Sequence, residues 1–101
     1  MNEDDPLLTV DDLASVQRAV WEGRAKWYNI GLEFGLSAGT LDAIKLGNQS
    51  NPDDCFTETL KLWLRGSAKP PSRSCLERSL RTQTVGLGHL AEQLSNFDPS
   101  K

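Results

Sequence analysis

Few side chains in this sequence could carry out catalysis. His89 is the only histidine, and it lies off the apolar positions of its segment, which predicts a solvent-exposed side chain. A nucleophile–histidine pair with a serine or cysteine would need a framing loop motif, and none is present. Cys55 and Cys75 are the only cysteines, too few for a zinc site or a disulfide scaffold. Both are interpreted as reduced thiols in or beside the core, with a single disulfide as the alternative.

Two adjacent carboxylates, Asp53 and Asp54, follow a proline at the start of an apolar-periodic segment. Carboxylates are stabilised at the N-terminal, positive end of a helix dipole, and this explains the pair more simply than a metal site or an acid–base pair. No glycine-rich loop precedes a Lys-Ser or Lys-Thr pair, so a nucleotide site has no support. The sequence therefore predicts a non-catalytic protein with no cofactor and no metal.

Composition and charge narrow the class of protein further. The chain has 101 residues, which suits one domain, and it carries a formal net charge of −3. This charge argues against nucleic acid as the main partner, because phosphate binding favours a basic surface. No apolar run approaches the ~18–20 residues of a membrane span, and the acidic start lacks the features of a secretory signal. We therefore expect a cytoplasmic protein without membrane insertion.

Apolar spacing predicts an all-α bundle of six helices near 9–21, 24–35, 37–46, 52–65, 73–81 and 85–95. Convincing alternation typical of strands is absent from the sequence. The bundle is expected to occupy residues 7–96, between flexible tails at 1–6 and 97–101. The predicted core consists of Leu13, Trp27, Ile30, Phe34, Leu41, Ile44, Phe56, Leu60, Trp63, Leu64, Leu76, Leu80, Leu90 and Leu94.

Helix ends are marked by capping residues. Gly35 follows the last apolar residue of the second predicted helix, where a left-handed C′ residue is common, and Ser37 suits the N-cap of the third. Gly47 is expected to end the third helix in the same way. Ser72 or Ser74 is the expected N-cap of the fifth helix.

The order of these segments resembles that of a death domain over residues 9–95. The stretch "WYNIGLEFGLS" followed by "LDAI" is similar to the second and third helices of that family, with Phe34-Gly35-Leu36-Ser37 in place of Leu-Gly-Leu-Ser. The stretch "CFTETLKLWL" resembles the fourth helix, and the leucines of "CLERSLRTQTVGLGHLAEQL" resemble those of the last two. Arg73 or Ser74 stands where many members have a tryptophan, and Gly31 where alanine or a larger residue is usual. A CARD-like relative is the alternative subfamily.

The resemblance implies a Greek-key, antiparallel six-helix bundle that binds other death-fold domains, homotypically or heterotypically. Such domains act as adaptors in signalling, including apoptosis and innate immunity, and associate through asymmetric helical patches in oligomeric assemblies. Association with a second copy of the chain and association with a different domain both stay open. The candidate protein-binding residues are Arg18, Lys26, Glu33, Asp42, Lys45, Asp54, Glu58, Lys61, Arg65, Lys69, Arg81 and Gln83.

An alternative function is DNA binding by a helix-turn-helix motif at residues 32–46. A tight turn before a capped amphipathic helix is common to both readings. A recognition helix should expose basic or amide side chains to base edges and phosphates. This one is expected to expose Thr40, Asp42 and Lys45, so the sequence favours the interaction module.

Overall fold

The computed structural model describes residues 7–66, 68–83 and 85–94. Within these ranges the chain is all-helical, as predicted, and extended backbone pairs in one isolated antiparallel bridge, between Leu7 and Ser72. The Leu8 N–H donates to the Pro71 carbonyl, at 2.6 Å, beside this bridge. The predicted tails, 1–6 and 97–101, lie outside the described residues, as do 95 and 96 at the predicted end of the bundle.

Six α-helices follow one another in the described part of the chain. They are α1 (Leu13–Ala19), α2 (Trp27–Glu33), α3 (Ala38–Gly47), α4 (Pro52–Leu64), α5 (Arg73–Arg81) and α6 (Gly88–Gln93). The 3-10 helix Val10–Asp12 leads into α1, and the 3-10 helix Trp21–Lys26 leads into α2. The first two predicted helices are therefore each a 3-10 segment joined to an α-helix.

The last helix begins later than predicted, at Gly88 instead of residue 85. Gly86 has a φ of +67°, in the left-handed region, and its N–H donates to the Thr82 carbonyl at 2.7 Å. A right-handed helix cannot continue through this conformation, so α6 can start only after it.

Side-chain caps fix the starts of three helices. The Asn51 Oδ1 atom accepts from the backbone N–H of Asp53 and of Asp54, at 2.9 and 3.3 Å. Ser37 Oγ accepts from the Thr40 N–H at 3.1 Å, as predicted. Ser72 is the cap of α5, because its Oγ accepts from a backbone N–H in the first turn. The alternative cap at Ser74 is therefore wrong.

The two glycines predicted to end α2 and α3 behave differently. Gly35 has a φ of +95°, and the Leu36 N–H donates to the Gly31 carbonyl at 3.1 Å, which closes a Schellman-type end. Gly47 is instead the last residue of α3, so the prediction for it is wrong. The left-handed residue at this end is Gln49, with a φ of +54°, and the Ser50 N–H donates to the Lys45 carbonyl at 2.8 Å, which closes a Schellman-type end. The Asn48 side-chain amide adds a hydrogen bond to the Ile44 carbonyl at 2.9 Å.

Helix α4 lies at the centre of the described structure and contacts α1, α2 and α3. Its residues Phe56, Leu60 and Trp63 are fully buried. Helices α5 and α6 contact each other, and α5 also contacts α2. Of the predicted core residues, Leu13 is half-buried at the first position of α1, and the others are buried.

Helices α2 and α4 approach closely at Gly31. A Cβ atom at this position would lie 2.6 Å from Leu41 Cδ2 and 3.2 Å from Thr59 Cγ2. Leu41 and Thr59 are themselves fully buried. A glycine is therefore required where α2, α3 and α4 meet.

Candidate protein-interaction surface

The outer face of α4 carries a charged stripe formed by Asp54, Glu58, Lys61 and Arg65. Asp54 and Arg65 are exposed, and the side chains of Glu58 and Lys61 are 39% and 37% exposed. The Lys61 ammonium lies 4.0 Å from the Glu58 carboxylate, a weak ion pair at this exposure. The stripe runs from acidic to basic along the helix, which matches the helix dipole. The bundle thus presents a charged face on a helix whose opposite face is buried in the core.

Arg24 connects the N-terminal end of α4 to the 3-10 helix Trp21–Lys26, which precedes α2. The Arg24 Nε atom lies 3.0 Å from Asp53 Oδ1, and its guanidinium carbon lies 4.9 Å from the centre of the Trp21 ring. Asp53 is therefore engaged within the fold, whereas its neighbour Asp54 faces solvent as part of the charged stripe. Sequence reasoning missed Arg24, because its partner lies 29 positions away along the chain.

Helices α2 and α3 are linked at the surface by a hydrogen bond between Tyr28 and Asp42. The Tyr28 hydroxyl donates to Asp42 Oδ1 at 3.0 Å. This hydrogen bond, with desolvation and the charge of the carboxylate, raises the pKa of Tyr28 above its usual value. Asp42 remains exposed while it accepts this bond, so it can still face a partner.

The other predicted binding residues are distributed over several elements. Glu33, at the end of α2, is half-buried. The remainder are exposed side chains, namely Arg18, Lys26, Lys45, Lys69, Arg81 and Gln83. The structure therefore does not gather all twelve candidates on one face.

Positive charge is concentrated between residues 61 and 81. This segment has six lysine and arginine residues against one carboxylate, Glu77, whereas residues 7–60 have four against eight. The carboxylate of Glu77 lies 3.5 Å from Arg73 Nε and is thereby engaged. Among the described residues, no ion pair joins Arg65, Lys69 or Arg78 to a carboxylate. We call this basic stretch of the chain, from the end of α4 through the following loop to α5, the basic corner.

A surface cleft of about 250 Å³ lies in this basic corner, and we call it the α5 cleft. Its wall includes a serine hydroxyl that donates to a backbone carbonyl within α5, Ser79 to Cys75, at 2.9 Å. Sequence reasoning selected Lys69 and Glu33 but not Arg78, although the density of charge in residues 61–81 was a usable signal. The lining residues are Glu33, Lys69, Cys75, Arg78, Ser79 and Thr82.

The residues first considered for catalysis do not converge. Cys55 and Cys75 are free and buried, and burial, followed by the charge of Asp54, raises the pKa of the Cys55 thiol. The His89 side chain is 59% exposed, and its Nε2 atom lies 3.5 Å from Glu22 Oε1. In the described ranges, no group of three or more histidine, cysteine and acidic side chains is placed to hold a metal ion.

Comparisons with known proteins assign no family. No protein-family model matches the chain, and no curated protein or solved structure matches it significantly. Among the helices of the described residues, none combines the length and the apolar character that crossing a bilayer requires.

Proposed function

We propose that this chain is a non-catalytic protein-interaction module of the death-domain type. The observation that supports this most directly is the two-sided character of α4. Its inner face, with Phe56, Leu60 and Trp63, is fully buried, whereas its outer face presents the charged stripe. A rigid helix with an exposed charge pattern is suited to recognising another folded domain, because polar patches set specificity and register.

The proposed partners are other death-fold domains, bound homotypically or heterotypically, with self-association included. The proposed topology is the Greek-key arrangement of the six antiparallel helices. In this proposal the charged stripe of one domain meets the α2–α3 surface of the next, which includes Lys26, Asp42 and Lys45. A patch that binds a different patch is heterologous and can build rings or open helical assemblies.

The biological role follows from assembly and not from chemistry on a substrate. A cytoplasmic adaptor of this kind brings attached effectors close together and raises their effective concentration. Signalling in apoptosis or innate immunity is the proposed context, on the strength of the sequence resemblance. The mechanism requires no cofactor and no nucleic acid.

Charge reversal on α4 tests the proposal. Glu58→Lys and Lys61→Glu, made singly, should weaken association about tenfold while changing the free energy of unfolding by less than about 0.5 kcal/mol. Glu92→Lys on α6 is a matched control, since Glu92 is exposed and outside the candidate set. Light scattering across a concentration series reports self-association, and capture of purified death-fold domains reports hetero-association. The proposed function is wrong if the wild-type chain shows neither.

The helix-turn-helix alternative stays a hypothesis that no observation favours. The turn at Gly35 does precede a capped helix, α3, as the motif requires. The outward side of α3, however, includes Leu46, which is 82% exposed, and the carboxylate of Asp42. Neither group donates hydrogen bonds to phosphates or base edges.

A further inference from the structure

The α5 cleft is lined by more cationic than anionic side chains. Two cations, Lys69 and Arg78, line it together with one carboxylate, Glu33. The nearest acidic residue along α5, Glu77, is engaged by Arg73 at 3.5 Å. An excess of positive charge therefore faces the cleft, within the basic corner formed by residues 61–81.

We infer that the α5 cleft receives a carboxylate side chain from an acidic segment of a protein partner. An arginine guanidinium binds a carboxylate through two parallel hydrogen bonds, and a lysine ammonium adds a further charge-assisted bond. The inference deepens the proposed function and rests on it, because it names the chemistry of a partner at the α4–α5 corner.

The size of the cleft supports a side chain as its occupant. Its volume of about 250 Å³ lies below the ~300–1,000 Å³ typical of small-molecule sites. A single aspartate or glutamate side chain needs less room than a metabolite. The Thr82 hydroxyl at the cleft wall already donates to the Ser79 carbonyl, at 3.1 Å, so the two cations are the donors that the cleft offers an acidic side chain.

Nucleic acid is a weaker candidate for this surface. Single-stranded nucleic acids bind through aromatic side chains on which bases stack, and the one aromatic residue in segment 61–81, Trp63, is fully buried. The eight carboxylates of residues 7–60 also oppose an extended basic field.

A pair of labelled peptides tests the inference on the whole chain. The acidic peptide is Gly-Ser-Glu-Asp-Asp-Glu-Ser-Gly, and its neutral match replaces each acid with the corresponding amide. We expect fluorescence anisotropy to detect binding of the acidic peptide only, weakening as salt rises. The double variant Lys69→Gln/Arg78→Gln should reduce its affinity at least about tenfold.

The control has the same change in net charge at a different surface. Ala14 and Gln93 are exposed, lie outside the α5 cleft and are not candidate binding residues, so Ala14→Glu/Gln93→Glu should change peptide affinity by less than about threefold. Circular dichroism melting of both double variants verifies that each is folded. In backbone NMR spectra of the wild-type chain, shifts on adding the acidic peptide should cluster at residues 78–82.

Several results would overturn the inference. They are equal binding of the amide peptide, equal loss in the two double variants, stronger binding of a random single-stranded oligonucleotide, or no peptide binding at all. If the charged stripe variants still weaken domain association in any of these cases, the α5 cleft inference fails and the proposed function stands. If the acidic peptide binds as expected but no domain association exists, the proposed function fails instead.

Discussion

The indole of Trp63 lies flat against the phenyl ring of Phe34, with ring centroids 4.1 Å apart and an interplanar angle of 6°. Both residues are fully buried, so this stack joins the end of α2 to the last turn of α4. The Phe34 carbonyl also accepts a hydrogen bond from the Lys69 N–H, at 3.0 Å. The same residue therefore connects the core to the backbone that carries a cation of the α5 cleft.

Truncation of Trp63 should destabilise the fold strongly. Trp63→Ala removes the stack and leaves a large cavity, which costs about 3–5 kcal/mol in core sites. Trp63→Phe keeps an aromatic ring and removes the Nε1–H, a buried donor without an acceptor among the described residues. Because an unpaired buried donor is itself unfavourable, we expect Trp63→Phe to cost less than about 2 kcal/mol. Urea unfolding measures both, and similar costs for the two variants would contradict the role of the stack.

Gly31→Ala should destabilise the protein although alanine is the better helix former. The new methyl group would overlap with Leu41 Cδ2, and a fully buried Leu41 has little room to move. We expect a net loss of about 1–3 kcal/mol, which is typical of an overpacked core.

The matched control is Gly47→Ala, at the last position of α3. No heavy atom lies within 4 Å of its added Cβ, so only helix propensity and backbone entropy change. We expect a gain of up to about 1 kcal/mol in the free energy of unfolding. If Gly31→Ala proved as stabilising as Gly47→Ala in chemical denaturation, the close contact of α2 with its neighbours would not exist in solution.

Features that depend on neighbouring residues could be predicted from the sequence. Asn51 and Ser37 accept hydrogen bonds from N–H groups two or three positions away, and Gly35 adopts a left-handed conformation that suits glycine. The end of α3 was predicted wrongly because the left-handed residue there is Gln49, two positions beyond Gly47. The helix continues through Gly47, and the Ser50 N–H donates to the Lys45 carbonyl to close the turn.

Features that depend on tertiary contacts could not be predicted. The apolar spacing gave most of the core, because helix periodicity alone selects an inner face. It did not indicate that Arg24 would reach Asp53, or that Lys69 and Arg78 would line one cleft. Both arrangements require the relative positions of helices, which charge and spacing along one segment do not determine.

Glycine at one position of the turn between α3 and α4 should stabilise the protein, and glycine at another position should destabilise it. Gln49 and Ser50 have φ values of +54° and +62°, although neither is glycine. A left-handed backbone conformation costs a non-glycine residue about 1–2 kcal/mol. Glycine avoids this cost but loses more conformational entropy on folding, which offsets part of the gain. Ser50→Gly should therefore raise the free energy of unfolding by about 0.5–1 kcal/mol. Asn48 has a φ of −116°, which does not require glycine, and its side-chain amide donates to the Ile44 carbonyl. Asn48→Gly should therefore lower the free energy of unfolding. Thermal melting in which Asn48→Gly is the more stable of the two variants would refute this account.

Tyr28 should ionise at a higher pH in the folded protein than in the unfolded chain. It is the only tyrosine, so absorbance near 295 nm reports its phenolate alone. The hydrogen bond to Asp42 favours the neutral phenol and raises its pKa above the usual value of about 10. Because the pKa of Tyr28 is higher in the folded protein than in the unfolded chain, the stability that Tyr28 contributes is complete below pH ~10. This contribution is lost as the pH rises through the folded-state pKa.

The Tyr28 titration also tests the contact between α2 and α3. We expect the absorbance midpoint of the native protein to lie above that measured in concentrated urea. Asp42→Ala removes both the acceptor and the negative charge, so it should move the native midpoint down toward the urea value. Asp54→Ala removes the same charge from the α4 stripe, outside the hydrogen bond to Tyr28, and should leave the native midpoint where it is. An equal shift in the two variants would show that net charge, and not the Tyr28–Asp42 hydrogen bond, sets the pKa of this tyrosine.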